Sequence, residues 1–162
     1  GELEGLSDFD DNWAPQINLG VPVLIPEKYV SDLDTRLGLY RRLSGLTSKV
    51  ELEGFAAELI DRFGELPREV NTLLLVVRIK AMCKRAQISK FDGGPKGATI
   101  QFYNNKFKSP SGLVTFIDNE NGHAKIRDNK LVVIRSWAKD SDRIRGSFNL
   151  AKDLAKLAQA KN

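Results

Sequence analysis

Residues 49–86 read KVELEGFAAELIDRFGELPREVNTLLLVVRIKAMCKRA, and this stretch predicts two consecutive helices. Between Lys49 and Phe63, apolar residues recur every three or four positions, as on one face of an amphipathic helix. Gly64 is typical of a helix end, and Pro67 is typical of the first position of the next helix. The second helix, residues 67–86, is apolar over more than half of its circumference, which predicts that it is the central and most buried helix. The apolar face of the first helix consists of Leu52, Phe55, Ala56, Leu59, Ile60 and Phe63.

Outward from this stretch, the spacing of apolar residues indicates further elements. Toward the start of the chain we expect a helix from about residue 32, capped by Ser31 and ended by Gly45. Before it lies an extended, edge-type stretch at 17–25, because Pro22 is tolerated only at a sheet edge. Toward the end of the chain the sequence predicts strands at 88–91 and 98–102, a helix over 109–119, a hairpin of 124–127 and 131–135, and a last helix capped by Asp140 or Ser141.

This order of elements predicts the fold class. A helical run at the N-terminal side, followed by a small, mostly antiparallel sheet with flanking helices, is typical of an α+β domain. We expect residues 1–14 to form a flexible acidic lead-in and residues 15–162 to form one domain. No apolar run approaches the roughly 18 residues that a membrane span needs, and no signal peptide is visible. The sequence therefore predicts a cytoplasmic protein without membrane association.

The charges are distributed unevenly along the chain. The 162 residues carry a net charge of +4, but residues 1–66 sum to −7 and residues 67–162 to +11. One interpretation is an ordinary solvated surface whose two halves attract each other. The other is an acidic surface for a protein partner and a basic surface for nucleic acid. Both remain open from the sequence.

The residues that usually carry catalysis or metal binding are sparse. One cysteine, Cys83, lies in an apolar helical run and is expected to be a small buried side chain, and the one histidine, His123, follows a predicted turn. Gly93–Gly94–Pro95–Lys96–Gly97 does not match a phosphate-binding loop and is expected to be a hairpin turn. We therefore expect no catalytic residue, no cofactor and no metal site.

Two clusters suggest binding surfaces. Aromatic and basic residues interleave at 102–108, a pattern that would allow base stacking but that alternation along a strand explains as well. On the polar side of the helix at Lys49–Phe63, Glu58, Asp61 and Arg62 stand at i, i+3 and i+4 and form one charged patch. That patch is either a solvated helix face with a Glu58–Arg62 pair or the centre of a protein interface. Gly54 on the same side has a helix-propensity cost of about 1 kcal/mol, which can mark the close approach of another backbone.

Five segments resemble the carboxy-terminal domain of bacterial transcription-repair coupling factors (Mfd). They are PQINLG (residues 15–20), IPEKYV (25–30), RLGLYRRL (36–43), ELIDRFGELP (58–67) and GPKG (94–97). The resemblance is dense over residues 15–103 and looser beyond them. It implies a non-catalytic, autoinhibitory C-terminal regulatory domain of an ATP-dependent DNA translocase that acts in transcription-coupled nucleotide excision repair.

The resemblance also implies partners. The domain would dock on the UvrB-like module of the same polypeptide, through contacts that fall on Glu58, Asp61 and Arg62, and mask its UvrA-binding surface. The parent protein would bind RNA polymerase and DNA through parts that this chain lacks, since no ATPase or helicase motif is present in it. The alternative is a module that contacts nucleic acid or RNA polymerase through the basic second half of the chain.

Overall fold

The computed structural model describes residues 12–159. Its helices are α1 (Leu33–Ser44), α2 (Lys49–Phe63), α3 (Arg68–Arg85), α4 (Pro110–Asn119) and α5 (Asp140–Gln159). Its strands are β1 (Gln16–Asn18), β2 (Ile88–Gly94), β3 (Gly97–Phe102), β4 (Ala124–Arg127) and β5 (Lys130–Ile134), with a short 3-10 turn at Tyr103–Asn105. Most of the predicted lead-in, residues 1–11, lies outside the described residues, so its flexibility stays a prediction.

The strands form a single open sheet in the order β1-β2-β3-β5-β4. β1 runs parallel to β2, and the other neighbours are antiparallel. The α+β prediction with a small, mostly antiparallel sheet is confirmed. The predicted extended stretch at 17–25 is wrong in extent, because the strand ends at Asn18. Gly20 then adopts a φ of +66°, which is incompatible with a continuing strand.

Two hydrophobic clusters hold the domain together. The first lies between the sheet and α5, with Phe91, Ile100 and Leu131 at its centre. The second lies among the first helices and includes Leu43, Phe55 and Leu59. The second cluster is formed by consecutive elements, whereas the first also includes Leu19 and Ile17 at β1, which α1 and α2 separate from the rest of that cluster in the chain.

Helix α3 connects the two clusters. Val70 and Leu73 in its first half belong to the helical cluster, whereas Ile79, Met82 and Cys83 in its second half belong to the sheet cluster. This division explains why apolar residues surround most of the helix. The helix is central as predicted, but the prediction that it is the most buried one is wrong: α5 buries eight residues and α3 five, because α3 turns its apolar residues in several directions.

Local signals placed most boundaries within a residue or two. Helix α1 is capped by Asp32, not by Ser31, because the Asp32 carboxylate accepts a hydrogen bond from the Thr35 backbone N–H at 2.9 Å. The last helix begins at Asp140 itself, so Asp140 lies in its first turn and is not a cap. The β4–β5 hairpin turns on Asp128 and Asn129 alone, both with positive φ, which is the geometry of a two-residue hairpin loop.

Candidate protein interface

The predicted site residues all lie near the C-terminal end of α2. This helix forms because Ser48 and Glu51 make a capping box at its start, and because Leu52, Phe55 and Leu59 bury one side against α1 and α3. The opposite side is free to carry charge. Asp61 and Arg62 are exposed, and Glu58 is partly buried at the edge of α1.

Glu58 is held by two arginines. Arg42 of α1 donates from Nη1 and Nη2 to the two carboxylate oxygens of Glu58, at 2.7 Å each. Arg62 donates from Nη1 to Oε2 of the same carboxylate at 3.0 Å. Hydrogen bonds from Arg42, then from Arg62, lower the pKa of Glu58 from its ordinary value of 4.5 to about 2. The carboxylate is therefore ionised at any physiological pH.

The two arginines are also fixed by aromatic rings. The Arg42 guanidinium lies 5.2 Å from the centre of the Phe55 ring, and the Arg62 guanidinium lies 4.8 Å from that of Phe63. Such contacts restrict the rotamers of long side chains and reduce the entropy lost on binding. The network Arg42–Glu58–Arg62 thus presents a preorganised arrangement of charge.

Asp61 differs from its two predicted neighbours. No Lys, Arg or His within the described part of the chain lies at ion-pair distance from its carboxylate. The structure therefore confirms the Glu58–Arg62 pair, but it leaves Asp61 as an acceptor available to another molecule. Whether the three residues form an interface stays a prediction.

Sequence reasoning missed two residues of this surface. Arg42 could not be assigned to it, because its contact with Glu58 depends on how α1 packs on α2. Val50 is 78% exposed and lies on the strip of Gly54 and Asp61, at i, i+4 and i+11. Its exposure could have been suspected from the helical spacing, which excludes Val50 from the buried stripe.

Two expectations about α2 are corrected or refined. Ile60, which the sequence predicts on the buried face, is 50% exposed, because it lies at the margin of the apolar stripe. A side chain at Gly54 would meet no atom within 4 Å, so the glycine is not required by any contact within residues 12–159.

Cys83 and His123, the single cysteine and the single histidine, lie away from this surface. Cys83 is buried, and burial raises the pKa of its thiol. His123 is exposed in the turn before β4. Within residues 12–159 no group of three or more His, Cys, Asp and Glu residues is arranged to hold a metal ion. No helix of that region has the length and apolar character that crossing a membrane requires.

The aromatic residues near 102–108 pack against one another. Phe102 is buried and contacts Phe107, with ring centres 5.0 Å apart. Tyr103 stacks on Trp13 at 4.5 Å with nearly parallel rings, and the Lys84 ammonium lies 3.9 Å from the centre of the Trp13 ring. These rings are used for intramolecular packing, which favours the structural interpretation of the pattern over base stacking.

Comparisons with known proteins agree with this fold. A family model described as the TRCF domain matches residues 19–113. This range includes the residues of the candidate interface, which are Arg42, Val50, Gly54, Glu58, Asp61 and Arg62. The chain is 46% identical over 124 residues to a transcription-repair-coupling factor of Rickettsia bellii, covering 76% of the chain and 11% of that relative. It is 32% identical over 111 residues to the one of Escherichia coli K12, covering 68% of the chain and 10% of that relative.

A solved structure gives the same architecture. The crystal structure of a C-terminal domain of transcription-repair coupling factor superposes with a TM-score of 0.78 at 23% identity, over 95% of this chain and 99% of that one. At this identity the match establishes the fold. The matched region spans 11% of the length of the Rickettsia bellii relative and 10% of that of the Escherichia coli relative. From the family model and these matches together, the chain belongs to the TRCF domain family.

Proposed function

We propose that this chain is a non-catalytic regulatory domain of a transcription-repair coupling factor, acting as a removable cover. It docks on the UvrB-like module of its own polypeptide and masks the surface that binds UvrA. The cover opens when the factor engages stalled RNA polymerase in the cytoplasm. ATP hydrolysis, DNA translocation and polymerase binding belong to other parts of the parent protein.

The observation that carries this proposal is the exposed Asp61 carboxylate beside a fixed network of charges. The Glu58 carboxylate already accepts three hydrogen bonds from Arg42 and Arg62, so this network fixes the orientation of the charges on the surface. Asp61 supplies an unpaired charge for an arginine or lysine of the docked module. Charge pairs of this kind give register and specificity with modest net affinity.

Val50 and Gly54 add the apolar part of the surface. They lie on the same strip of α2 as Asp61, and the absence of a side chain at Gly54 allows another backbone to approach the helix closely. An exposed valine next to a glycine gives a small apolar centre that charges surround, as in most protein interfaces.

Weak docking is an advantage for a regulated cover. The closed state needs to be favoured by only a few kcal/mol, so that a second partner can shift the population to the open state. Because the contact is intramolecular, the tether provides an effective concentration on the order of millimolar. A surface of one helix is therefore sufficient.

The direct test measures binding of the 162-residue chain to the separately purified UvrB-like module by isothermal titration calorimetry. Asp61→Arg should weaken binding by at least about tenfold, since it replaces an attraction with a repulsion. Glu58→Ala is a less specific variant, because it also removes the contact by which Arg42 of α1 is held to α2.

Asp153→Arg is the matched control. Asp153 is also an exposed helical aspartate and undergoes the same change of charge, but it lies on α5, outside the proposed surface. This variant should bind as the wild type does. Equal losses from both variants, or no binding even when the two modules are covalently linked, would refute the proposed surface.

A further inference from the structure

One face of the five-stranded sheet is not covered by either hydrophobic cluster. Phe91, Ile100 and Leu131 are in register on β2, β3 and β5 and point into the core beneath α5. Their sequence neighbours point to the opposite face, because side chains alternate along a strand. None of those outward residues belongs to the two clusters of the described chain.

The strand register places polar residues in rows across this open face. Gln16 pairs with Lys90, Lys90 with Gln101, Gln101 with Lys130, and Lys130 with Arg127. This row crosses all five strands and spans about 19 Å at roughly 4.8 Å per strand. The adjacent row consists of Asn18, Asp92, Thr99, Val132 and Lys125.

The two rows are strongly basic. They contain four cations and one carboxylate, that of Asp92, which lies 3.8 Å from the Lys90 ammonium. Lys125, Arg127 and Lys130 are exposed at the β4–β5 end of the sheet. No carboxylate of residues 12–159 lies within ion-pair distance of these three cations.

The composition of the face indicates the class of ligand. The centres of protein–protein interfaces are depleted in lysine and enriched in aromatic residues, whereas the two rows contain three lysines, one arginine and no aromatic residue. Lysine, arginine, amide and hydroxyl side chains are the groups that contact phosphates. Single-stranded nucleic acid is usually held by stacking on aromatic rings, which these rows lack. A duplex, whose bases are already stacked, needs only phosphate contacts.

We propose that the open sheet face binds the phosphate backbone of duplex DNA without reading its sequence. Lys125, Arg127 and Lys130 provide the main contacts, and Lys90 extends them toward the middle of the sheet. This surface shares no residue with the α2 interface, so the proposal stands independently of the covering function.

The test measures fluorescence anisotropy of a labelled duplex of about 20 base pairs with the 162-residue chain, between about 50 and about 200 mM salt. Four phosphate contacts predict a slope of log K against log salt of about −3.6. The triple variant Lys125→Gln/Arg127→Gln/Lys130→Gln should bring the slope to about −1 and weaken binding at low salt by at least about tenfold.

The matched control removes the same number of charges from the opposite layer. Lys80→Gln/Lys152→Gln/Lys156→Gln changes exposed lysines of α3 and α5, and it should keep the slope of the wild type. Circular dichroism verifies that both triple variants are folded.

Three results would overturn the proposal. Equal reductions of the slope by both triple variants would assign binding to net charge alone. Tighter binding of a single strand of the same length would assign the face to unpaired nucleic acid. Binding of polyglutamate without binding of the duplex would assign the face to an acidic protein.

Discussion

Arg42 and Glu58 join two helices through a bidentate pair, in which both guanidinium nitrogens lie 2.7 Å from the carboxylate oxygens. Arg42 comes from α1 and Glu58 from α2, sixteen residues later in the chain. The surface at Asp61 is therefore built from two helices that this pair joins. Its geometry depends on the packing of α1 as much as on α2.

Removal of Arg42 should release the Glu58 carboxylate. In the Arg42→Gln variant the pKa of Glu58 should rise from about 2 toward 4.5, because the hydrogen bonds that lower it most come from Arg42. The side-chain carboxyl resonance of Glu58, followed by NMR during an acid titration, measures this pKa. An unchanged pKa would show that the Arg42 contact is not maintained in solution.

The same pair should make stability depend on pH. Between about pH 2 and 4.5 the unfolded chain binds a proton at Glu58 that the folded chain does not, so the free energy of unfolding should rise with pH in this window. The contribution is fully present above pH 4.5 and is lost as the pH falls toward 2.

Urea unfolding at several pH values measures this slope. Glu58→Gln should reduce the slope without removing it, because hydrogen bonds from Thr35 and from Thr47 and Ser48 also lower the pKa values of Asp32 and Glu51. A slope identical to that of the wild type would contradict the role of Glu58.

Gly54→Ala should have opposite effects on stability and on docking. A methyl group at this position meets no atom, so the variant should gain about 0.5 to 1 kcal/mol in the free energy of unfolding through helix propensity. If another backbone approaches Gly54, the same variant should bind the UvrB-like module more weakly. On one preparation, urea unfolding measures the free energy of unfolding and calorimetry measures the affinity. A destabilised variant would contradict the absence of atoms within 4 Å of a methyl group at Gly54.

Leu59→Ala should be strongly destabilising. Leu59 is fully buried in the helical cluster, so the variant loses apolar burial and leaves a cavity, at a cost of about 2–5 kcal/mol. The exposed variant Asp61→Arg should change the free energy of unfolding by no more than about 0.5 kcal/mol. Comparable losses of stability in the two variants would be inconsistent with the burial pattern of α2.

Gly146→Ala should destabilise the sheet cluster, in contrast to Gly54→Ala. A methyl group at Gly146 would clash with the indole ring of Trp137, which is buried against α5. Displacement of the indole should cost about 1–3 kcal/mol, despite the better helix propensity of alanine. Thermal unfolding followed by tryptophan fluorescence measures the loss, and a more stable variant would disprove the close contact.

The open sheet face could not be predicted from the sequence. The lysines and arginines of the second half look scattered along the sequence, at Lys90, Lys125, Arg127 and Lys130. The register of four strands places these residues in two adjacent rows. Antiparallel and parallel pairing joins residues from distant parts of the chain, and strand order is not encoded in local periodicity.

The sequence alone determined the helices, most strand positions and the α+β class, because capping residues, apolar spacing and turn glycines act within a few residues of one another. It also isolated Glu58, Asp61 and Arg62, since these residues share one side of a single helix. Only the tertiary structure showed that Arg42 belongs to that surface and that Ile60 is exposed. Only the structure showed that Asp61, unlike Glu58, has no ion-pair partner among the described residues. These features depend on contacts between elements that are far apart in sequence, and packing alone decides which side chains meet there.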